Sequence, residues 1–269
     1  MKIKADLHNH LRTASNLRQR DFNKAVDLAR QRLGENGIFA MVNFSDRRYE
    51  HFIGLRGYER DYLGENRNAV YVPEKQVLVV KGQEIPTQQG HLLVLGLGYD
   101  AYMKEHKSIE YSLDEAKNRK AIAIADHPYA PNGIGPYLED TISIYSDLTA
   151  WEIHNGETLR KANQKARTTY EGLPYFYPQI KLGALSSSDG HSFHELGTNW
   201  TEIEMPDIIE PSKFLPILEQ SIRSIDLQTL RKERISYRGI IGHMGMLALI
   251  IRTSKIGLGK LFETDKPEF

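Results

Sequence analysis

Short runs rich in Val, Ile and Ala alternate with stretches of helical periodicity along nearly the whole chain, and this alternation constrains the fold more than any other feature. A β-run, a helix and another β-run specify strands joined by crossovers, so the order predicts a mostly parallel α/β sheet or barrel. Strands are expected over 2–7, 38–42, 76–85, 121–125, 148–153 and 181–186, with short extended segments at 91–97 and 200–205. The unbroken apolar run 77–80 marks a strand covered on both faces. A helix starts at Asp21, where Phe22, Val26, Ala29 and Leu33 share a face before Gly34 and Gly37 end it. Further helices are expected over 49–63, 112–120, 137–145 and 158–170, and Pro211 starts a helical C-terminal part at the position that proline favours.

No low-complexity linker or internal repeat divides the 269 residues, and single α/β barrels take about 250. The expected organisation is one barrel domain over 1–225 with a C-terminal helical extension over 226–269 packed on it. The most apolar stretch, 239–251, is too short to span a bilayer about 30 Å thick and is expected to be a buried helix. The first residues carry no apolar signal core, so a cytoplasmic protein is expected.

Lys and Arg total 35, as do Asp and Glu, which excludes a broad basic surface for non-specific nucleic-acid binding but not a local basic pocket. The chain has no cysteine. Disulfides, thiolate ligands and a thiol nucleophile are therefore excluded, and nitrogen and oxygen remain as the strong ligand atoms.

Asp6-Leu7-His8-Asn9-His10 ends the first expected strand. Side chains alternate faces along a strand, so Asp6, His8 and His10 point the same way and two imidazoles can meet one ion. Asp6 would hold a histidine ring through its second nitrogen. Taken alone, the motif also fits surface histidines at a strand end. Further ligand-type residues recur where strands end: Glu84, His127, and Asp189 with His191, while His91 follows Glu84 after the Gly90 turn. The C-terminal ends of parallel strands line one mouth, where such residues converge. Asp189-Gly190 is also an ordinary turn dipeptide. His154 reads as a structural histidine, and His51, His106, His194 and His243 have no supporting context.

Five segments, Ala5-Asp6-Leu7-His8-Asn9-His10, Gly82-Gln83-Glu84-Ile85 with Gly90-His91-Leu92-Leu93, Ala125-Asp126-His127-Pro128, Trp151-Glu152-Ile153-His154-Asn155-Gly156 and Ser188-Asp189-Gly190-His191, occur in an order that resembles the PHP (polymerase and histidinol phosphatase) superfamily of metal-dependent phosphoesterases. The resemblance implies a distorted, TIM-like barrel of seven β/α units, (β/α)7. It implies that His8, His10, Glu84 and Asp189 surround one metal ion and that Glu84, His91 and His127 hold a second, with Glu84 bridging. His191 would belong to a third site in members that have one. This chain departs from the family at Asn43-Phe44, where Asp-His is usual, and at Asn16, near which a further histidine is expected. Two ions rather than three are therefore implied, with Asp46 and His51 reading as a loop acid and a surface histidine.

Nitrogen and carboxylate donors suit zinc, manganese or iron(II). Two such ions about 3.5–4 Å apart would deprotonate a water and neutralise the phosphoryl oxygens. Glu84, Asp189 and His191 are the candidate catalytic residues, with His191 as proton donor to the leaving oxygen. Among Arg12, Arg18, Arg47 and Arg48, the candidates for clamping the phosphate are Arg12 and Arg47, nearest the mouth. The substrate would be a small phosphomonoester, a nucleotide or a nucleic-acid end. Two other readings compete: a degraded PHP-like interaction module, and a metal-dependent barrel hydrolase of C–N bonds, for which a bridging lysine after a middle strand is missing.

Overall fold

The alternating runs become, in a computed structural model, β1 (Lys2–Asp6), α1 (Asp21–Leu33), β2 (Gly37–Asn43), α2 (Arg48–Gly54), β3 (Asp61–Leu63), β4 (Ala69–Val72), β5 (Val77–Pro86) and β6 (His91–Leu95). There follow α3 (Ile109–Asn118), β7 (Ile122–Ala125), α4 (Gly135–Asp140), β8 (Ala150–Asn155), α5 (Arg160–Phe176), β9 (Gly183–Ser187), β10 (Trp200–Glu204), α6 (Phe214–Arg223) and β11 (Arg231–Lys232). The structure describes residues 1–64, 66–207, 210–236 and 240.

One sheet runs in the order β11-β10-β1-β2-β5-β6-β7-β8-β9, with β4 pairing β5 and β3 pairing β4. The pairs β1–β2, β2–β5, β7–β8 and β8–β9 are parallel. The sheet curls until β9 reaches β10, where Thr201 Oγ1 accepts from Ser186 N at 2.7 Å. Beyond the strand ends, Asn9 bridges Gly190, His8 O accepts from Asp189 N at 2.9 Å and Gly190 O accepts from His10 N at 2.8 Å. The result is the distorted, nearly closed α/β barrel.

Alternating side chains feed two apolar clusters. Ile38, Ala40 and Val42 of β2 and Leu78 and Val80 of β5 join one. Phe39, Met41, Val77 and Val79 join the other, with Phe22 and Val26 of α1 and Phe52 of α2. Both strands are thus covered on each face, as the run 77–80 predicts.

Three features differ from the sequence expectation. The helix expected over 49–63 stops at Gly54, because the Arg60 guanidinium takes the Ile53 and Leu55 carbonyls at 2.6 and 2.9 Å, and β3 and β4 then form an antiparallel hairpin. β6 runs antiparallel to β5 and β7, since the Thr87–Gly90 connection is far too short for a crossover. After α6 the chain leaves the helix at a turn in which Asp226 Oδ1 accepts from the N–H groups of Gln228 and Thr229, each at 2.9 Å. It then pairs β11 with β10, where Asn199 grips the Arg234 backbone at 2.6 and 2.8 Å. The apolar stretch 239–251, apart from residue 240, and most of the expected extension lie outside the described residues. No helix of the described residues is long and apolar enough to cross a membrane.

Candidate metal centre

The chain leaves strand geometry after Asp6, yet His8 and His10 still converge, with their Nε2 atoms 3.2 Å apart. Glu84 comes from β5 and divides its carboxylate between two pairs of imidazoles. Its Oε2 lies 2.9 Å from His10 Nε2 and 3.7 Å from His8 Nε2. Its Oε1 lies 3.1 Å from His127 Nε2 and hydrogen-bonds with His91 Nδ1. His91 reaches this mouth because β6 runs against its neighbours and begins where they end. Asp189 Oδ1, beyond β9, is 3.5 Å from both His8 Nε2 and His10 Nε2. The six expected ligands therefore meet in one place.

A seventh side chain, Asp126 after β7, joins them unforeseen as a ligand. Ligand atoms of His8, Glu84, Asp126 and His127 lie within 4.8 Å of one another, as do those of His8, His10 and Asp189. Asp126 Oδ2 is 3.3 Å from His127 Nε2, but both Asp126 oxygens are buried without a hydrogen-bond partner, as is His127 Nδ1. A buried carboxylate without donors is costly, and a cation is the partner that suits it.

The expected role of Asp6 falls to another residue. Glu152, wholly buried in β8, holds His8 Nδ1 at 3.2 Å and accepts from His127 N at 2.7 Å and Asn155 Nδ2 at 3.0 Å. It thereby turns the His8 Nε2 toward the cluster, the outer-sphere arrangement that fixes a ligating tautomer. Asp6 instead ties β1 to the loop after β9. It accepts from Ser188 N (2.9 Å), Ser188 Oγ (2.7 Å), Asn9 Nδ2 (2.7 Å) and Gly197 N (2.8 Å). Gly190 in that loop has no room for a side chain, since a Cβ there would lie 2.9 Å from Asn9 Oδ1 and from Glu195 Cβ.

Charge in the cluster is unbalanced toward carboxylates. Burial pushes the Asp126 carboxyl up to about 6, against the pull of His127. Burial opposes charge on His127, yet Asp126 and Glu84 outweigh it and raise the imidazole to about 10. Burial likewise disfavours a charged His8, but Asp189 and Glu152 hold its pKa well above the ordinary imidazole value. Burial also works against an ionised Glu152, and the His8 charge and hydrogen bond still bring it down to about 2. A pocket that draws positive charge so strongly, with only nitrogen and oxygen donors, fits divalent cations. The backbone is strained where it delivers two of these side chains, with φ of +27° at His127 and +51° at Asp189.

A cavity of about 340 Å³ opens over the cluster, lined by Glu84, His91, His127, Asp189, Phe44 and His191, among others. Phe44 stands 6.1 Å from the His10 ring and 5.6 Å from His91, a hydrophobic wall where the family usually has histidine. Asn43 points elsewhere, accepting from Tyr49 N at 2.7 Å and donating to Glu50 at 3.0 Å. The His191 ring lies 4.7 Å from that of His10, with Nδ1 2.9 Å from Asp189 O. Arg12 lies in a neighbouring cavity that His191 also lines. Arg47 is exposed, bonded to Tyr102 Oη at 2.9 Å and to Asp100 at 3.1 Å, and does not line the cavity over the cluster. His154 points away from the cluster, 3.3 Å from Arg234 O.

No family model matches this sequence, and no curated protein matches it. Solved structures do. PsfC from Pseudomonas syringae is similar over 94% of this chain and 98% of its own, at 15% identity and a TM-score of 0.58. The lesion-specific endonuclease EndoQ from Pyrococcus furiosus is similar over 86% of this chain and 57% of its own, at 13% identity and a TM-score of 0.57. A two-domain Bacteroides vulgatus protein containing a predicted PHP-like metal-dependent phosphoesterase matches 87% of this chain and 65% of its own, at 15% identity and a TM-score of 0.54. This chain thus spans little more than half of the endonuclease and under two thirds of the two-domain protein. The fold defined by the sheet and its mouth is the PHP-type α/β barrel.

Proposed function

We propose that the protein is a metal-dependent phosphoesterase that hydrolyses a phosphate ester through a water activated between two divalent ions. The division of the Glu84 carboxylate between His8 with His10 and His91 with His127 carries this reading, because it is the disposition of a bridging ligand. His8, His10 and Asp189 would hold one ion, His91, His127 and Asp126 the other, with Glu84 shared. When bound there, zinc, manganese or iron(II) supplies a water of lowered pKa and neutralises charge on the phosphoryl oxygens. Glu152 keeps the His8 ring in the ligating tautomer, and Phe44 excludes water from the wall beside His10 and His91.

His191, which lines the cavity over the cluster with its ring 4.7 Å from that of His10, is the candidate proton donor to the leaving oxygen. Arg12 is the candidate substrate contact, from the cavity that adjoins the metal centre rather than the one over it, while Arg47 is committed to Tyr102 and Asp100. Phosphate esters are favoured over C–N bonds because the structures that resemble this chain include an endonuclease and a protein containing a predicted PHP-like phosphoesterase.

Hydrolysis of p-nitrophenyl phosphate and bis(p-nitrophenyl) phosphate, with and without a chelator, tests the reading. Turnover of at least one, lost with chelator and restored by manganese or zinc, is expected. Amide hydrolysis with neither phosphate ester cleaved would overturn it.

A further inference from the structure

A second cavity, of about 400 Å³, adjoins the metal centre and is lined by Arg12, Thr13, Asn16, Arg18, Arg48 and His191. His191 lines both cavities, so they share a wall. Their linings have opposite character. The first presents Glu84, Glu157 and Asp189, whereas the second presents three guanidinium groups and no carboxylate.

Two carboxylates tie down Arg48 and the loop that carries Arg12 and Arg18. Arg48 is buried, its Nε 2.7 Å from Asp46 Oδ1, and the other Asp46 oxygen accepts from Ala14 N at 3.0 Å. One carboxylate thus fixes both Arg48 and the loop that carries Arg12 and Arg18. Asp21 anchors the other end of that loop by accepting from Arg18 N at 2.9 Å, with Arg12 Nη1 3.8 Å away. The Arg12 guanidinium packs over Phe193, 5.1 Å from the ring centre. Planar guanidinium forks match the oxygens of a phosphoryl group, and the volume lies in the usual range of ligand sites.

We infer that this arginine cavity holds a second phosphoryl group of the substrate, which stays uncleaved while the scissile phosphate occupies the metal centre. The inference rests on the phosphoesterase reading and narrows its substrate to molecules with two separated phosphates. A nucleoside bisphosphate and a 5′-phosphorylated strand present that same chemistry.

Titration calorimetry and product analysis, reading inorganic phosphate from the monoesters and mononucleotide from the dinucleotide, with the metal-loaded full chain, test it on thymidine 5′-monophosphate, thymidine 3′,5′-bisphosphate and 5′-phosphorylated dithymidylate. The wild type is expected to bind a two-phosphate ligand at least about tenfold tighter than the monophosphate. In the double variant Arg12→Ala, Arg18→Ala, two exposed positions, that ratio falls to about one. Tighter binding of the dinucleotide than of the bisphosphate places the second phosphate on a strand, and the reverse order places it on a free nucleotide. Equal affinities in the wild type, or a preference that survives the double substitution, overturn the inference. Preference without hydrolysis of any of the three would sink the phosphoesterase reading alone, and hydrolysis without preference would sink the arginine cavity alone.

Discussion

Glu84→Gln is expected to lower kcat/KM for a phosphate ester by more than about a hundredfold, beyond the 10–100-fold typical of losing an outer-sphere partner. Among the described residues, Glu84 is the one side chain that reaches His8, His10, His91 and His127 together. An amide has nearly the same shape but supplies no charge to compensate two cations and only one oxygen to share between them. Initial rates across a metal titration, with a circular dichroism spectrum to confirm the fold, measure the effect. A variant as fast as the wild type would remove Glu84 from the mechanism.

Asp6→Ala acts on the fold rather than the chemistry. It strips the acceptor from two buried backbone N–H groups, those of Ser188 and Gly197, and from Ser188 Oγ and Asn9 Nδ2. Unsatisfied buried donors cost about 1–3 kcal/mol each, and Asn9 and Ser188 can partly satisfy one another. A loss of about 4 kcal/mol is expected, which lowers Tm by roughly 10 °C in a chain of this size. Thermal unfolding followed by circular dichroism checks this, and an unchanged Tm would show that the loop after β9 is held by other contacts.

Five of the six expected ligands were legible because they stand at the end of a readable apolar run, whereas His91 begins one. His8, His10, Glu84, His127 and Asp189 all follow from that rule, and the structure brings them together. The connections between them were harder to read. Asp6 shares the alternation of His8 and His10, but β1 ends at Asp6 and its carboxylate turns to the Ser188 loop. The orienting carboxylate for His8 is Glu152, 144 residues away, and only the parallel packing of distant strands reveals it. A faint signal existed, since Glu152 sits between Trp151 and Ile153 in a fully buried strand and an acid there needs partners. Asp126 beside His127 carried a similar signal. The antiparallel turn into β6 was readable from the four-residue connection, whereas the β3–β4 hairpin was hidden by apolar spacing that also suits a helix.

Metal content tests the central claim most directly. Mass spectrometry of protein dialysed from manganese or zinc should find about two divalent ions per chain in the wild type and at most about one in Glu84→Gln. A wild type that retains no ion, or a variant that retains as many, would contradict the account.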